Sequence, residues 1–504
     1  MRLHLILWTL LVGSLPRLGA LTVVAYNVEN LFDGDGVAMY EDYQPDRYTP
    51  AHLVTKVRNI AGVLARAGEG AGPDIAIFNE IELDQRSDEG VGPEGWGKAF
   101  AGRKLEDLLK PEGSLDPDVA GLPAEAWLLK ACEEAGLKGY HVASSDEKPG
   151  DYESGRPRAV RNVIFSRFPI RKTRTLETPN ARGILEVVLD VEGHPLTVFA
   201  NHWKSGAGDP EAEGTRRENA RTLRARLDEI FAADPAADVI IAGDLNSHYN
   251  QNRRYREMKE TGINDVLGSQ GNELALRSGK DLYNLWFELP SNNRGSDIYQ
   301  NEWGTLMHLI VSRGLYDKSG VQYVDNSFLV LKIPGLNADV FGRPVRWSRG
   351  RTPAGFSDHF PISAEFRIAG EGDKAAWMPL SQPSRTESGS GHPVPVETSL
   401  VDLFQSAVEA SGLPAGTDLR DGACSGRVLC VRDAPAAMND RGHVDIELLG
   451  QSYNVFTHDK RLRSEIRKRV SHGGKLSFYG ELGTYKDRWQ FLIHGPEWLV
   501  PPAK

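Results

Sequence analysis

Between Leu21 and about Ile368 the chain repeats one pattern, a short apolar run of strand length followed by a stretch with apolar residues at three and four spacing. The runs are LTVVAYN, DIAIFNE, RNVIFS, GILEVVLDV, LTVFANH, DVIIAGDLN and LMHLIVS, and the amphipathic stretches include Leu53 to Ala67 and Arg216 to Phe231. Such alternation predicts strands and helices packed as one large α/β unit. At 504 residues the chain is too long for one ordinary domain, and a second folded unit is expected. Apolar residues at 40% and charged residues at 25% exclude collagen-like and fully disordered chains. A mean hydropathy of -0.39 leaves no room for several membrane spans.

The segment before Leu21 reads differently. Arg2 and His4 precede LILWTLLVGSL, and Leu18-Gly19-Ala20 closes the run. A basic start, a short apolar stretch and small residues before a cut predict a secretory signal over residues 1–20. Cleavage near Ala20 would export the protein to the periplasm or the medium, with no membrane anchor in the mature form. The three cysteines, Cys132, Cys424 and Cys430, cannot all pair internally. Cys424 and Cys430 read as one strand, where six residues span roughly 20 Å, against the ~7 Å limit between bridged Cα atoms. No disulfide framework is expected.

The catalytic-type unit is taken as residues 21–369. Residues 370–398, rich in Pro, Ser and Gly without apolar periodicity, read as a flexible linker, and residues 399–504 as the second unit. That unit opens with a helical stretch, Leu400 to Ser411. Strand candidates follow at Ala423 to Arg432, His443 to Leu449, Tyr453 to His458, Lys475 to Leu482 and Trp489 to His494, with a basic helix from Lys460 to Val470. Three strands, a helix and two strands is the order of a small five-stranded OB-like β-barrel. Residues 400–504 carry 14 Lys+Arg and 13 Asp+Glu, which leaves 45 and 56 for residues 1–399, so the small unit is the more basic part of a chain of net charge -10. The overall charge does not advertise a polyanion binder, although enzymes that recruit divalent cations concentrate carboxylates.

The chemistry-bearing residues gather at strand ends. In Ile240-Ile241-Ala242-Gly243-Asp244-Leu245-Asn246, a carboxylate and an amide at i and i+2 would point to one face at the carboxyl end of a strand. Such a pair can orient a water and hold an oxyanion; alone, Asp244 could equally cap a following helix. Polar groups also end Ala25-Tyr26-Asn27-Val28-Glu29-Asn30, Ile77-Phe78-Asn79-Glu80 and Ala200-Asn201-His202-Trp203, and Ser357-Asp358-His359 lies near the end of the unit. Arg158, Arg161 and Asn162 could grip phosphate by bidentate hydrogen bonds, or be solvated at the surface.

Taken in this order, the five motifs resemble the endonuclease/exonuclease/phosphatase superfamily over about Leu21 to Ile368. The resemblance implies a deoxyribonuclease-I-like four-layered α/β/β/α sandwich and metal-dependent in-line hydrolysis of a phosphodiester. It makes Glu80 the principal ligand of Mg²⁺ or Mn²⁺, completed by Asn27 through its amide oxygen or a bound water, with Asp358 orienting a ligand or binding metal. Asp244 would activate water, Asn246 contact the phosphate, His359 sit on the scissile phosphate, and His202 contact phosphate or protonate the leaving oxygen.

Two departures stand out. Asn79 replaces the usual Gln before Glu80, a change expected to be tolerated. In GTLMHLIVS, Met307 occupies the place where the family puts an Asp that holds the catalytic histidine in its tautomer. Asp297 or Glu302 is expected to substitute, with His308 a further candidate.

The superfamily includes enzymes that cut DNA, RNA, sphingomyelin and inositol phosphates, so the fold does not choose a substrate. The second unit offers Tyr485 and Trp489 among other aromatics and cations, a composition suited to nucleic acid. The sequence therefore points to an exported nuclease acting on DNA, with RNA also open. The alternatives are a phosphatase or phospholipid phosphodiesterase, and a noncatalytic nucleic-acid-binding protein. The segment Gln85 to Pro123, Gly- and charge-rich, looks like a surface insertion.

Overall fold

The computed structural model describes residues 20–85, 92–111, 113–271, 281–299, 302–339, 341–348, 353–369, 400–405, 407–413, 417–421, 424, 427–471, 474–485 and 488–500. The expected signal over 1–20 lies outside these residues except for Ala20, and the linker expected over 370–398 lies wholly outside them.

Two sheets face each other. The first runs Val321–Tyr323, Ile362–Ile368, Ala20–Leu31, Ile75–Glu82, Val160–Ser166, His141–Ser144, with Leu329–Val330 also paired to Ile362–Ile368. The second runs Ile170–Leu176, Ile184–Val191, His194–His202, Val239–Asp244, Met307–Val311, Leu282–Asn284, Ser269–Gln270. All seven apolar runs of the sequence are strands of these sheets.

Alternation along each strand sorts side chains into layers. Val23, Ala25, Ile75 and Ile77 pack inward against Val187, Val198, Ile240 and Leu309 of the other sheet. Val24, Tyr26, Phe78 and Phe165 point the opposite way, onto the helices Pro50–Leu64 and Ala124–Glu134. On the far side, Phe199, Ile241 and Ile310 pack against Ala220, Leu223 and Leu227 of the helix Pro210–Ala233. The result is the expected four-layered α/β/β/α sandwich. Both long helices begin with Pro in their first turn, after Thr49 and Asp209; Asp209 caps by accepting from the Glu211 N–H.

The segment Gln85 to Pro123 differs from its expectation. Where described, it holds the helix Pro93–Ala99, and it buries Trp96, Phe100, Leu105, Leu108, Leu115 and Val119 in the helical-side core. Its Gly and charge content conceals a sparse apolar set that covers the sandwich.

In the second unit, Val428–Met438 pairs with Val444–Leu448 on one side and with Lys475–Tyr485 on the other, so five strands close into a barrel. The helix Lys460–Val470 sits between the third and fourth of these strands and buries Leu462, Ile466 and Val470. Two expectations shift. The opening helix is Leu400–Gln405, followed by the short strand Val408–Glu409, and Cys424 precedes the strand that contains Cys430. All three cysteines are free and buried. Among the described residues, no helix is long and apolar enough to cross a membrane.

Candidate active site

The register of the two sheets assembles the site. In the first sheet Asn27 pairs with Asn79, and beyond this pair the ladder is irregular as far as Leu31 and Ile81. Glu29, Asn30 and Glu80 adopt φ of 51°, 58° and 65°, left-handed conformations that non-glycine residues rarely hold. Surrounding bonds fix them there. The buried Lys56 ammonium donates to the Glu29 and Asn30 carbonyls. The Glu29 carboxylate accepts from the Trp347 N–H at 2.8 Å and from Arg346 at 3.1 Å. The bulge turns Glu80 away from the sheet and into a cleft.

In the second sheet His202 pairs with Asp244, and Asp244 with Met307. Gly243, at φ 113°, is required just before Asp244, because a Cβ there would lie 2.2 Å from the Asn201 carbonyl oxygen. Asn79 ties the sheets together: its Oδ1 accepts from the Asp244 N–H at 2.8 Å, and its amide donates to the Asn201 carbonyl at 2.8 Å and to Asn162 at 2.7 Å.

Asn27 stands between two carboxylates, donating at 3.0 Å to Glu80 Oε1 and at 3.0 Å to Asp244 Oδ2. Its amide oxygen accepts from the Glu29 N–H at 3.0 Å, which leaves that oxygen a second lone pair, while its amide nitrogen holds the two carboxylates in place. His202 Nε2 lies 3.7 Å from Glu80 Oε1, and His359 Nε2 lies 3.7 Å from both Asp244 Oδ2 and Asp358 Oδ1. Ser357 Oγ donates to the Asn27 carbonyl at 2.7 Å and accepts from the His359 N–H, fastening the Ser-Asp-His turn to the first strand. Asn246 faces the cleft by another route than the one read from the sequence. The strand ends at Asp244, and Asn246 follows at φ 47°, donating through its side chain to the Trp203 carbonyl.

The two histidines have opposite electrostatics. Burial, and then Arg182 and His359, hold His202 well below its ordinary value, so it is neutral. Burial opposes charge on His359 as well, but Asp358, Asp244, Asp297 and Glu80 outweigh it and raise the imidazole to about 9. Burial raises Asp244, against the pull of His359 and of the bonds from Asn246 and Asn27. The Nδ1 atoms of His202 and His359 are buried without a hydrogen-bond partner among the described residues.

Of the groups considered in place of the missing carboxylate at Met307, Asp297 is the one whose charge reaches His359, with no hydrogen bond from its carboxylate to the imidazole. Met307 is core, and its carbonyl accepts from Trp286 at 2.7 Å. Glu302 is turned to Arg254 near the surface. His308 is fully buried, bonded to the Ser247 carbonyl and Asn284, and held down to about 4 by burial. Asp297 begins the hairpin Asp297–Tyr299 and Glu302–Gly304, forms a backbone bridge with His359, and is among the carboxylates that raise it.

The cleft over these groups has a volume of about 1190 Å³. Its walls are the turn Met39 to Tyr43, the segment Ser205 to Asp209 and the Asp297–Gly304 hairpin. Arg182, Arg254 and Arg346 also line it; sequence reasoning missed them because Arg182 and Arg346 lie on irregular segments and Arg254 ends the four-residue helix Gln251–Arg254, too short to carry a period. Of the residues expected to bind substrate, Arg161 pairs with buried Glu125 at 2.6 Å, Asn162 bonds Asn79 and the Gly183 carbonyl, and Arg158 lies over the Tyr152 ring. None of the three lines the cleft. In the barrel Tyr485 is exposed, whereas Trp489 is packed in the core beside Phe491, a correction that follows from its inward place in the strand alternation.

The donor set fits a hard divalent cation. Glu80 and Asp358 both line the cleft, and no three His, Cys, Asp or Glu among the described residues gather into an all-protein cage. One or two carboxylates, with water and substrate oxygens completing an octahedron, suit Mg²⁺ or Mn²⁺ better than Zn²⁺.

Residues 138–367 match a family model described as the endonuclease/exonuclease/phosphatase family. No curated protein matches the chain. Among solved structures, the chain is similar to truncated TDP2 of Caenorhabditis elegans, with 15% identity and a TM-score of 0.37 over 69% of this chain and 98% of that one. D. rerio TDP2 complexed with a single-strand DNA product gives 14%, 0.37, 69% and 99% in the same order. A family protein from Bacteroides thetaiotaomicron gives 15%, 0.37, 69% and 98%.

Proposed function

The sandwich that carries this cleft is a member of the endonuclease/exonuclease/phosphatase superfamily, and from that premise we propose that the protein is a divalent-metal-dependent nuclease that hydrolyses DNA, and RNA where it is offered. The observation that carries the reading is the meeting of Glu80, Asn27, Asp244, His202, Asp358 and His359, drawn from five distant stretches of chain, around one cleft. A Mg²⁺ or Mn²⁺ ion bound by Glu80 and Asp358 would supply Lewis-acid neutralisation of a phosphate oxygen.

The protein's own groups account for the proton movements. Asp244, held above the ordinary carboxylate range by burial and aligned by the Asn246 N–H, accepts a proton from the attacking water as its oxygen bonds to phosphorus. His359, cationic at neutral pH, stabilises the charge that develops on a phosphate oxygen and can return a proton to the departing ester oxygen. Neutral His202 fits a hydrogen-bonding contact with phosphate better than it fits an acid. Asn246 lies beside Asp244, where its amide can meet the same phosphate.

The barrel is proposed to hold substrate through exposed Tyr485 and the basic residues of the Lys460–Val470 helix, where Arg461, Lys468 and Arg469 are exposed, Arg469 beside Glu465. Export by the N-terminal signal is part of the same proposal; N-terminal sequencing of protein recovered outside the cytoplasm should begin near Ala20. The test of function is incubation of purified protein with plasmid DNA, RNA and sphingomyelin, with Mg²⁺ and with EDTA. Metal-dependent cutting of nucleic acid alone supports the reading. Cutting of sphingomyelin alone, or metal-independent DNA retention without cleavage, replaces it.

A further inference from the structure

The charged groups around the cleft have an order. At its centre lie the carboxylates Glu80, Asp244 and Asp358; at one side stands Arg182, whose charge reaches His202, and at the other Arg346, whose guanidinium bonds Asp358 at 3.2 Å and Glu29 at 3.1 Å. Contacts run between them in sequence: His202 to Glu80, Asn27 from Glu80 to Asp244, Asp244 to His359, His359 to Asp358, and Asp358 to Arg346. Arg182 and Arg346 therefore both border the catalytic groups, one beside His202 and the other bonded to Asp358.

Arg161 pairs with Glu125 and does not line the cleft, and Arg254 lines it but faces Glu302. Arg182 has no ion pair with any described residue, although it is partly buried in the cleft wall beside a neutral imidazole. The Arg346 side chain is 54% exposed while two of its hydrogen bonds go to carboxylates, so its remaining N–H groups are open to the cleft. A guanidinium with donors turned to a cleft is built to meet phosphate or carboxylate oxygens.

We propose that Arg182 and Arg346 grip the phosphates on either side of the scissile one, so that the substrate is an internal diester of a single strand of sugar–phosphate backbone. The inference rests on the nuclease reading and narrows it. A diester that carries one phosphate, such as a phospholipid headgroup, can satisfy the metal and the histidines but offers no second phosphate to Arg182 or to the exposed N–H groups of Arg346. A nucleic-acid strand supplies three phosphates in line. The cleft, at about 1190 Å³, exceeds the roughly 300–1,000 Å³ usual for small ligands, as a site for several linked units should.

The experiment measures binding of a fluorescent single-stranded oligonucleotide by anisotropy, with Ca²⁺ as the divalent ion, as salt is raised. It compares the wild type, Arg182→Gln, Arg346→Gln, the double variant and Arg158→Gln, with circular dichroism melts to establish that each is folded. Each phosphate contact contributes about 0.7 to the slope of log affinity against log salt for single strands. Each cleft variant should therefore lower the slope by about 0.7 and the double variant by about 1.4, while Arg158→Gln leaves it unchanged. In parallel, hydrolysis with Mn²⁺ should show the double variant raising KM for the oligonucleotide about tenfold more than KM for bis(4-nitrophenyl) phosphate. An unchanged slope in the double variant, an equal loss in Arg158→Gln, or no wild-type binding at low salt overturns the clamp. Failure of every diester to be cut overturns the nuclease reading instead, and the binding slopes still judge the clamp by themselves.

Discussion

Asp297 and His359 are joined by an isolated antiparallel backbone bridge, and the buried carboxylate of Asp297 helps to keep the imidazole protonated to about 9. The Leu306 N–H and Ser296 Oγ both donate to Asp297 Oδ1, which fixes the carboxylate in place. Hydrolysis should therefore show an alkaline limb near pH 9 as His359 loses its proton. Asp297→Asn removes one of the groups that raise His359, so the limb should move to lower pH, and kcat should fall roughly ten- to a hundredfold above neutrality. Glu302→Gln should leave the profile in place. A pH-rate series on the three proteins decides; an unmoved limb in Asp297→Asn removes Asp297 from this role.

Glu80 and Asp358 are the carboxylates assigned to the cation. Chelation should abolish turnover, and Mg²⁺ or Mn²⁺ should restore it. Glu80→Gln should raise the metal concentration needed for half-maximal rate by about tenfold or more, by analogy with the loss seen when groups around a metal are altered. Titration of rate against free metal, with metal binding followed by calorimetry, reads both effects.

Gly243→Ala should be among the most damaging small substitutions in the sandwich. Its added methyl would lie 2.2 Å from the Asn201 carbonyl oxygen at a φ of 113°, and the backbone cannot yield without moving Asp244. A loss of about 2–4 kcal/mol in denaturant unfolding is expected, accompanied by loss of turnover.

Asp238 offers a pH test away from the cleft. Burial raises its carboxyl to about 8, against the bond it accepts from the Val321 N–H. Because the folded state holds this proton more tightly than the unfolded chain, stability falls as pH rises from about 4 toward 8, by at most roughly 1.4 kcal/mol per unit. Asp238→Asn should flatten that slope. Thermal melts between pH 5 and 9 compare the two proteins, and parallel curves would remove Asp238 from the pH dependence.

In the barrel the two aromatics singled out for substrate should separate. Trp489→Ala removes a packed core side chain and should cost about 3–5 kcal/mol of stability in the barrel. Tyr485→Ala should leave the melt unchanged and weaken oligonucleotide binding by roughly 1–3 kcal/mol, the range for loss of one stacking platform.

The sandwich was legible because its evidence is local. Apolar runs such as DVIIAGDLN and LTVFANH declare strands by composition, and polar residues at their carboxyl ends declare where chemistry can gather. Register then did what the runs implied, pairing His202 with Asp244 and Asn27 with Asn79. What depended on irregular backbone was hidden. Asn246 reaches the cleft through a left-handed residue and not through strand alternation, and Glu80 through a bulge. Arg182 and Arg346 come from irregular segments in which no spacing marks a lining residue. Asp297 meets His359 only because a short hairpin folds back on the Ser-Asp-His turn. In the described part of Gln85 to Pro123, charge and glycine masked the seven apolar side chains, Leu122 among them, that are buried.

Asn79 reaches from one sheet to the backbone beside Asp244 in the other. The reaction centre thus straddles a seam between two plates, with Asn27 and Glu80 on one and His202 and Asp244 on the other. Any shear of one plate over the other misaligns the attacking water long before either plate melts. Heat should therefore silence turnover at a lower temperature than it unfolds the chain, and substitutions that tighten the seam will set the working range of the enzyme.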